Sequence, residues 1–271
     1  MHPHQEQHAS RGNFAHRILF ISICALASAV ASTTAGAAAI NYGNFQALPL
    51  TFNSVIESSG TDAVPLFGSP TAFSVGLDFD PGSFTANATS GQADITDGQL
   101  NFRIESTGPV SYGFRQISID EFGDYTLVGS GAAGTSVTGG VRLFATVREV
   151  NEIAITPFTV SVTNYFTDDL SSGSKILSTW SNNVFLDLGS ALMSRGFGNA
   201  DVVTLADMVL DNSLIAISEL SSVAFIAKKD FVVSVTPQIN PVPLPASIWG
   251  LLSGIGLLTG RAAVLRHRIR A

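Results

Sequence analysis

The sequence predicts an all-β fold, an antiparallel β-sandwich of jelly-roll type, set between two address segments. Three observations predict it. Short apolar runs alternate with polar residues at a period of two, and clusters of Gly, Pro, Asp, Asn and Ser interrupt them at about the 8–12-residue spacing of sandwich strands. The aromatic residues are 18 Phe against 4 Tyr and 2 Trp, a balance that suits a packed core more than a binding platform. Charged residues are only 13 % of the 271 while 45 % are hydrophobic, which excludes a charge-rich disordered chain.

The elements follow in order. Residues 50–56 and 72–79 alternate in part, and 99–104 and 112–119 alternate more cleanly. Strands are then expected over 124–128, 140–147, 158–162, 183–188, 222–226 and 231–235. Turns are expected at Asp80-Pro81-Gly82, Asp97-Gly98, the glycine-rich 129–134 and Gly139-Gly140. Asp211-Asn212 is expected to join strands over 205–210 and 214–218, and Lys228-Lys229-Asp230 to join the last two strands. Residues 190–201 read as a loop or one short helix. No boundary divides residues 40–236, and four prolines in 237–245 predict a stiff, extended linker.

Both ends read as addresses. Arg11 and Arg17 precede an apolar stretch over 18–30, and small residues follow, with A-x-A patterns ending at Ala37 and Ala39. Residues 1–39 therefore predict a signal peptide for the Sec translocon. A short buried helix opening a cytosolic domain would leave that order of charge, apolar run and small residues unexplained. Ile23 before Cys24 is too large for a lipoprotein signal. At the other end residues 246–260 carry no charge. Fifteen residues make about 22 Å of helix, and including 262–265 with Arg261 snorkelling gives about 20 residues, enough to span a bilayer. A transmembrane helix is thus expected over about 246–265. Trp249 would lie at the outer interface, while Arg261 and the basic end at Arg266, Arg268 and Arg270 oppose translocation. Gly250 and Gly254 form a small-xxx-small face suited to close helix contact. A helix buried in a soluble core would account for the apolar run but not for the basic end.

Between these ends stand 20 acidic and 8 basic side chains, a balance near −12 and the wrong sign for nucleic acid. The one cysteine, Cys24, and all five histidines lie outside that region. A Ser-His-Asp or Cys-His enzyme is excluded, as are zinc, haem and iron–sulfur ligation, and no disulfide can staple the body. Two-carboxylate glycosidase chemistry stays open, although no pair of acids stands out. No cofactor is called for. Calcium, which takes oxygen ligands, stays open as a weak ligand at 78–82 and 94–98, where turns explain the same residues. Trp180, in the polar run Ser178 to Asn183, is the candidate for stacking on a sugar; the alternative is an ordinary aromatic at a strand end. The body otherwise offers Tyr42, Tyr112, Tyr125 and Tyr165.

The C-terminal segment, residues 242–271, resembles the PEP-CTERM sorting signal of Gram-negative bacteria in its VPLPA-type variant. Val242, Pro243, Leu244, Pro245 and Ala246 match the signature, Trp249 and the glycine-studded apolar run match the helix, and Arg261 to Arg270 match the basic end. Leu244 stands where the name-giving form has Glu. The resemblance implies Sec export, an inner-membrane-anchored precursor, and cutting near the signature by an exosortase-type membrane transpeptidase. It implies a final place at the cell surface or outside the cell, associated with exopolysaccharide and biofilm. On this reading the protein is a substrate with no catalytic residues of its own, a structural protein of surface or matrix. The alternatives are a carbohydrate-binding module of the same matrix and a carboxylate glycosidase.

Overall fold

The computed structural model describes residues 38–107 and 112–239. Within them lie twelve strands: β1 (Ala38–Ala47), β2 (Leu50–Ser59), β3 (Thr71–Phe73), β4 (Gly76–Phe79), β5 (Thr85–Thr89), β6 (Ala93–Ser106), β7 (Tyr112–Gly129), β8 (Ser136–Val150), β9 (Ile153–Asp169), β10 (Lys175–Asp187), β11 (Val203–Ile217) and β12 (Ser222–Ile239). One short helix, α1 (Leu188–Met193), follows β10 and is capped by the Asp187 carboxylate, which accepts from Ser190 N.

Every pairing is antiparallel. One sheet runs β1-β2-β6-β11-β8-β9, and the other runs β10-β7-β12-β4-β3. The first half of β12 pairs with β5 and the second half with β4. A single pair, Val203 with Phe114, joins the two sheets along one corner. They face each other as a sandwich with barrel-like closure at that corner. Alternation sets the inner faces: Ala206, Met208, Leu210, Leu214 and Ala216 of β11 are buried, as are Ile117, Ile119, Tyr125 and Leu127 of β7. Seven phenylalanines lie in the buried core, while Phe122 and Phe185 are exposed. Phe67 meets Phe84 and Phe231 edge-on at centroid separations of 5.0 and 5.2 Å. The buried Glu57 carboxylate brings Phe67 there by accepting from the backbone N–H groups of Leu66, Phe67 and Gly68, and Tyr42 donates to it at 2.6 Å.

Several expected boundaries are corrected, mostly because the strands are longer than their apolar runs. Asp211-Asn212 is not a turn but the middle of β11, with Asp211 outward and Asn212 buried. Lys228-Lys229-Asp230 is a bulge inside β12. There the buried series shifts from Ala224, Ile226 and Lys228 to Phe231, Val233 and Val235, and a shift of phase imitates a turn. Residues 112–119 and 124–128 form one strand, β7, and Asp97-Gly98 lies within β6. The expected strand over 72–79 folds back on itself as β3 and β4. Gly139-Gly140 lies inside β8, and Leu188 opens α1. β1 and β5 were not anticipated, since bulges around Gly43 break the alternation of β1. Pro237, assigned to the linker, pairs with Phe114 at a register shift in β12, a place where a strand tolerates proline.

Among the described residues no helix is long and apolar enough to cross a membrane. The expected helix over 246–265 lies outside them, as does nearly all of the signal peptide.

Candidate functional site

The outer face of the β1–β9 sheet carries a groove. Register places Ser58, Gln99, Asp211, Arg142 and Thr163 in one row across β2, β6, β11, β8 and β9. The neighbouring row holds Asp97, Ser213, Gly140 and Tyr165. These rows enclose an open space of about 380 Å³. A second space of about 470 Å³ adjoins it along the strands, lined by Asn53, Asn101, Arg103, Glu105 and Asp207 among others. From Asp97 to Arg103 the combined groove is about 20 Å long at the usual rise of a strand.

Its side chains are held by one another. Gln99 Nε2 donates to Asp211 Oδ1 at 2.6 Å, and Asn101 Nδ2 donates to Gln99 Oε1 at 3.0 Å. Thr61 Oγ1 donates to Asp97 at 2.5 Å. Arg103 and Arg148 both pair with Asp207. Partial burial pushes the Asp207 carboxyl up, but the two guanidinium hydrogen bonds outweigh it and hold the group below the usual carboxylate range. The Arg142 guanidinium lies 4.4 Å over the Phe144 ring, and among the described residues no carboxylate pairs with it.

Tyr165 is the exposed aromatic of this face, at 65 % relative exposure. Its ring lies directly over Gly140, where a Cβ would come within 2.8 Å of the ring carbons. The Gly139-Gly140 pair is thus a seat for two aromatic rings on opposite sides of β8. Tyr165 occupies the outer side, and Trp180 the inner, 3.2 Å from where a Gly139 Cβ would sit.

Trp180 is accordingly corrected as a ligand contact. It is 3 % exposed, stacks on Phe166 and donates Nε1–H to Ala227 O at 3.0 Å. The polar run around it misled because Ser181 and Asn183 face outward while Trp180 and Asn182 face in. Tyr125 is buried with its hydroxyl on Asp168, and Tyr42 is spent on Glu57. At the calcium candidates Asp94 accepts from Asn87 N and Asp97 accepts from Thr61, and among the described residues no group of three acids stands together as a metal site. Asp78 and Asp80 lie near Asp230, whose carboxyl is pushed up first by partial burial and then by those two charges. Ala39 lies in β1 opposite Ser58. Ala37, Val242, Pro243, Leu244, Pro245, Ala246, Trp249, Gly250, Gly254, Arg261, Arg266, Arg268 and Arg270 lie outside the described residues.

Tyr165, Asp97 and Asp211 stand out in the sequence one by one, but the groove they share takes five strands to form. The outward positions of alternating runs were a signal for each one singly, but not for their meeting.

No family model matches the chain, and no curated protein matches it. Among solved structures it is similar to TmCBM61 in complex with β-1,4-galactotriose, at 10 % identity over 59 % of this chain and 70 % of that chain, with a TM-score of 0.18.

Proposed function

We propose that the chain is an exported surface or matrix protein whose jelly-roll-like body binds an extended, neutral polysaccharide along the outer groove. The observation that carries this reading is the Tyr165 ring, lying exposed on Gly140 at the head of a long polar groove. An aromatic face packs against the C–H face of a pyranose, while carboxylates, amides and a guanidinium satisfy its hydroxyls. The groove is open along the strands, so it takes the middle of a polymer and does not require an end. A body near −12 disfavours acidic polymers, which points to a neutral one. The sorting route belongs to the same reading: Sec export, anchoring in the inner membrane, and processing by an exosortase-type transpeptidase at Val242 to Ala246.

Affinity electrophoresis against a panel of neutral polysaccharides tests it. The wild-type chain is expected to be retarded by at least one of them. Tyr165→Ala is expected to lose roughly tenfold or more in affinity, the scale of one aromatic contact, with an unchanged melting temperature. A wild-type chain retarded by none overturns the groove as a glycan site.

A further inference from the structure

We propose that Lys228 and Asn212 become joined by an amide bond between Nζ and Cγ, with Glu121 moving the protons, so that the two sheets are covalently stapled through the core. Glu121 of β7 and Lys228 of β12 belong to one sheet and Asn212 of β11 to the other. All three are buried, at 0 %, 1 % and 3 % exposure. Lys228 Nζ donates to Glu121 Oε1 at 2.5 Å, and Asn212 Nδ2 donates to that same oxygen. The amine and the carboxamide are therefore neighbours around one acceptor. Asn182 Nδ2 holds the other oxygen, Oε2, at 3.2 Å. The rings of Phe84, Phe231 and Phe67 enclose Nζ at 4.9, 5.0 and 5.7 Å and keep water from it. Asn212 Oδ1 is, among the described residues, the buried side-chain atom with no hydrogen-bond partner. It is also the atom on which negative charge builds when an amine adds to the carboxamide carbon.

The step balances without any co-reactant. One proton passes from Nζ to Glu121, leaving a neutral amine and a carboxylic acid. Burial favours that direction, because it pushes the Lys228 ammonium below its usual range. The Nζ lone pair adds to Cγ, and the protonated Glu121 has an O–H to offer the orphaned Oδ1. Glu121 then gives its proton to Nδ2 and takes one from Nζ. The Cγ–Nδ2 bond breaks, ammonia leaves, and a secondary amide remains beside a protonated Glu121. The product contains no buried charge, whereas the starting pair holds two ions in a phenylalanine cage. It also supplies a staple in a body that has no cysteine.

The test is mass spectrometry of the full chain after cleavage at glutamate. Glu219 lies between Asn212 and Lys228, so cutting there separates them unless the bond exists. The expected result is one joined species, lighter by one ammonia than its two fragments combined, with fragmentation locating the link at Asn212 and Lys228. A succinimide at Asn212 would lose the same ammonia but leave the fragments separate. Lys228→Met is expected to give separate fragments of full mass, and Asn212→Asp to join with loss of water in place of ammonia. Separate fragments from the wild-type chain, or a link from Lys228 to Asn182, overturn the proposal. A Glu121→Gln chain linked as fully as wild type overturns the role of Glu121. Should Glu121→Gln fail to fold, the wild-type and Asn212→Asp digests decide.

Discussion

Trp180 shows how a single side chain is read wrongly from its neighbours. Its indole fills the space left by two glycines, Gly139 on β8 and Gly123 on β7, where a Cβ would lie 2.6 Å from Nε1. Truncation would open a cavity between the sheets and remove the Nε1–H bond to the Ala227 carbonyl. Trp180→Ala is therefore expected to cost about 3–5 kcal/mol in urea denaturation while leaving any glycan affinity of the folded fraction intact. Loss of binding without loss of stability would return Trp180 to the site. The polar residues of the core were legible in part. Glu121 falls two positions after Ile119 in the alternating series Ile117, Ile119, whereas Asn212, read with Asp211 as a turn, is placed inward only by the structure, between Leu210 and Leu214 of β11. What faces them was not legible, because Glu121 is 91 residues from Asn212 and 107 from Lys228 in the chain.

At the scale of elements, one ion pair fastens the junction of two long strands. Where β9 ends and β10 begins, Lys175 Nζ donates to Asp168 at 2.5 Å, and Tyr125 of β7 donates to the same carboxylate. Partial burial pushes Asp168 up, but the Lys175 and Tyr125 hydrogen bonds prevail and hold it below its usual range. Burial and then the bond to Asp168 push the Tyr125 phenol up to about 12. A carboxyl lowered on folding contributes stability that is complete above its unfolded pKa and is lost as pH falls through the folded value. Thermal midpoints are thus expected to stay level down to about pH 4 and to fall below it. Asp168→Asn is expected to be less stable at neutral pH and to show a shallower acid slope; an acid arm as steep as wild type would remove Asp168 from that account. The existence of most strands was legible from alternation. Their lengths were not, because a bulge such as that at Lys229 and a buried polar pair such as Asn212 with Glu121 both look like breaks when only neighbours in sequence are seen.

At the scale of the molecule, the body and its addresses rest on different grounds. The sandwich follows from period-two patterning, and its stability from a core that holds no cysteine. The groove exists only once β2, β6, β11, β8 and β9 lie side by side. The addresses are read from sequence order alone. The expected signal peptide adjoins the fold at β1: cleavage after Ala37 would leave this strand whole, whereas cleavage after Ala39 would remove its first two pairs with β2. Replacing Pro243, Leu244 and Pro245 by alanine is expected to leave export intact and to trap uncut protein in the membrane fraction. Release of that triple variant at the wild-type rate, read by immunoblot of membrane and medium, would sink the sorting-signal assignment.

The position of β12 has a mechanical consequence. It is the last of the described strands, it lies between β7 on one side and β4 with β5 on the other, and it pairs with β7 from Ser222 to Ile239. A tether attached beyond Ile239 and drawn along the strand loads all of these backbone hydrogen bonds together, in shear. An edge strand pulled sideways would give up its bonds one at a time. A body held to a surface by its C-terminal tail would thus meet drag with a strand paired to β7 along its whole length.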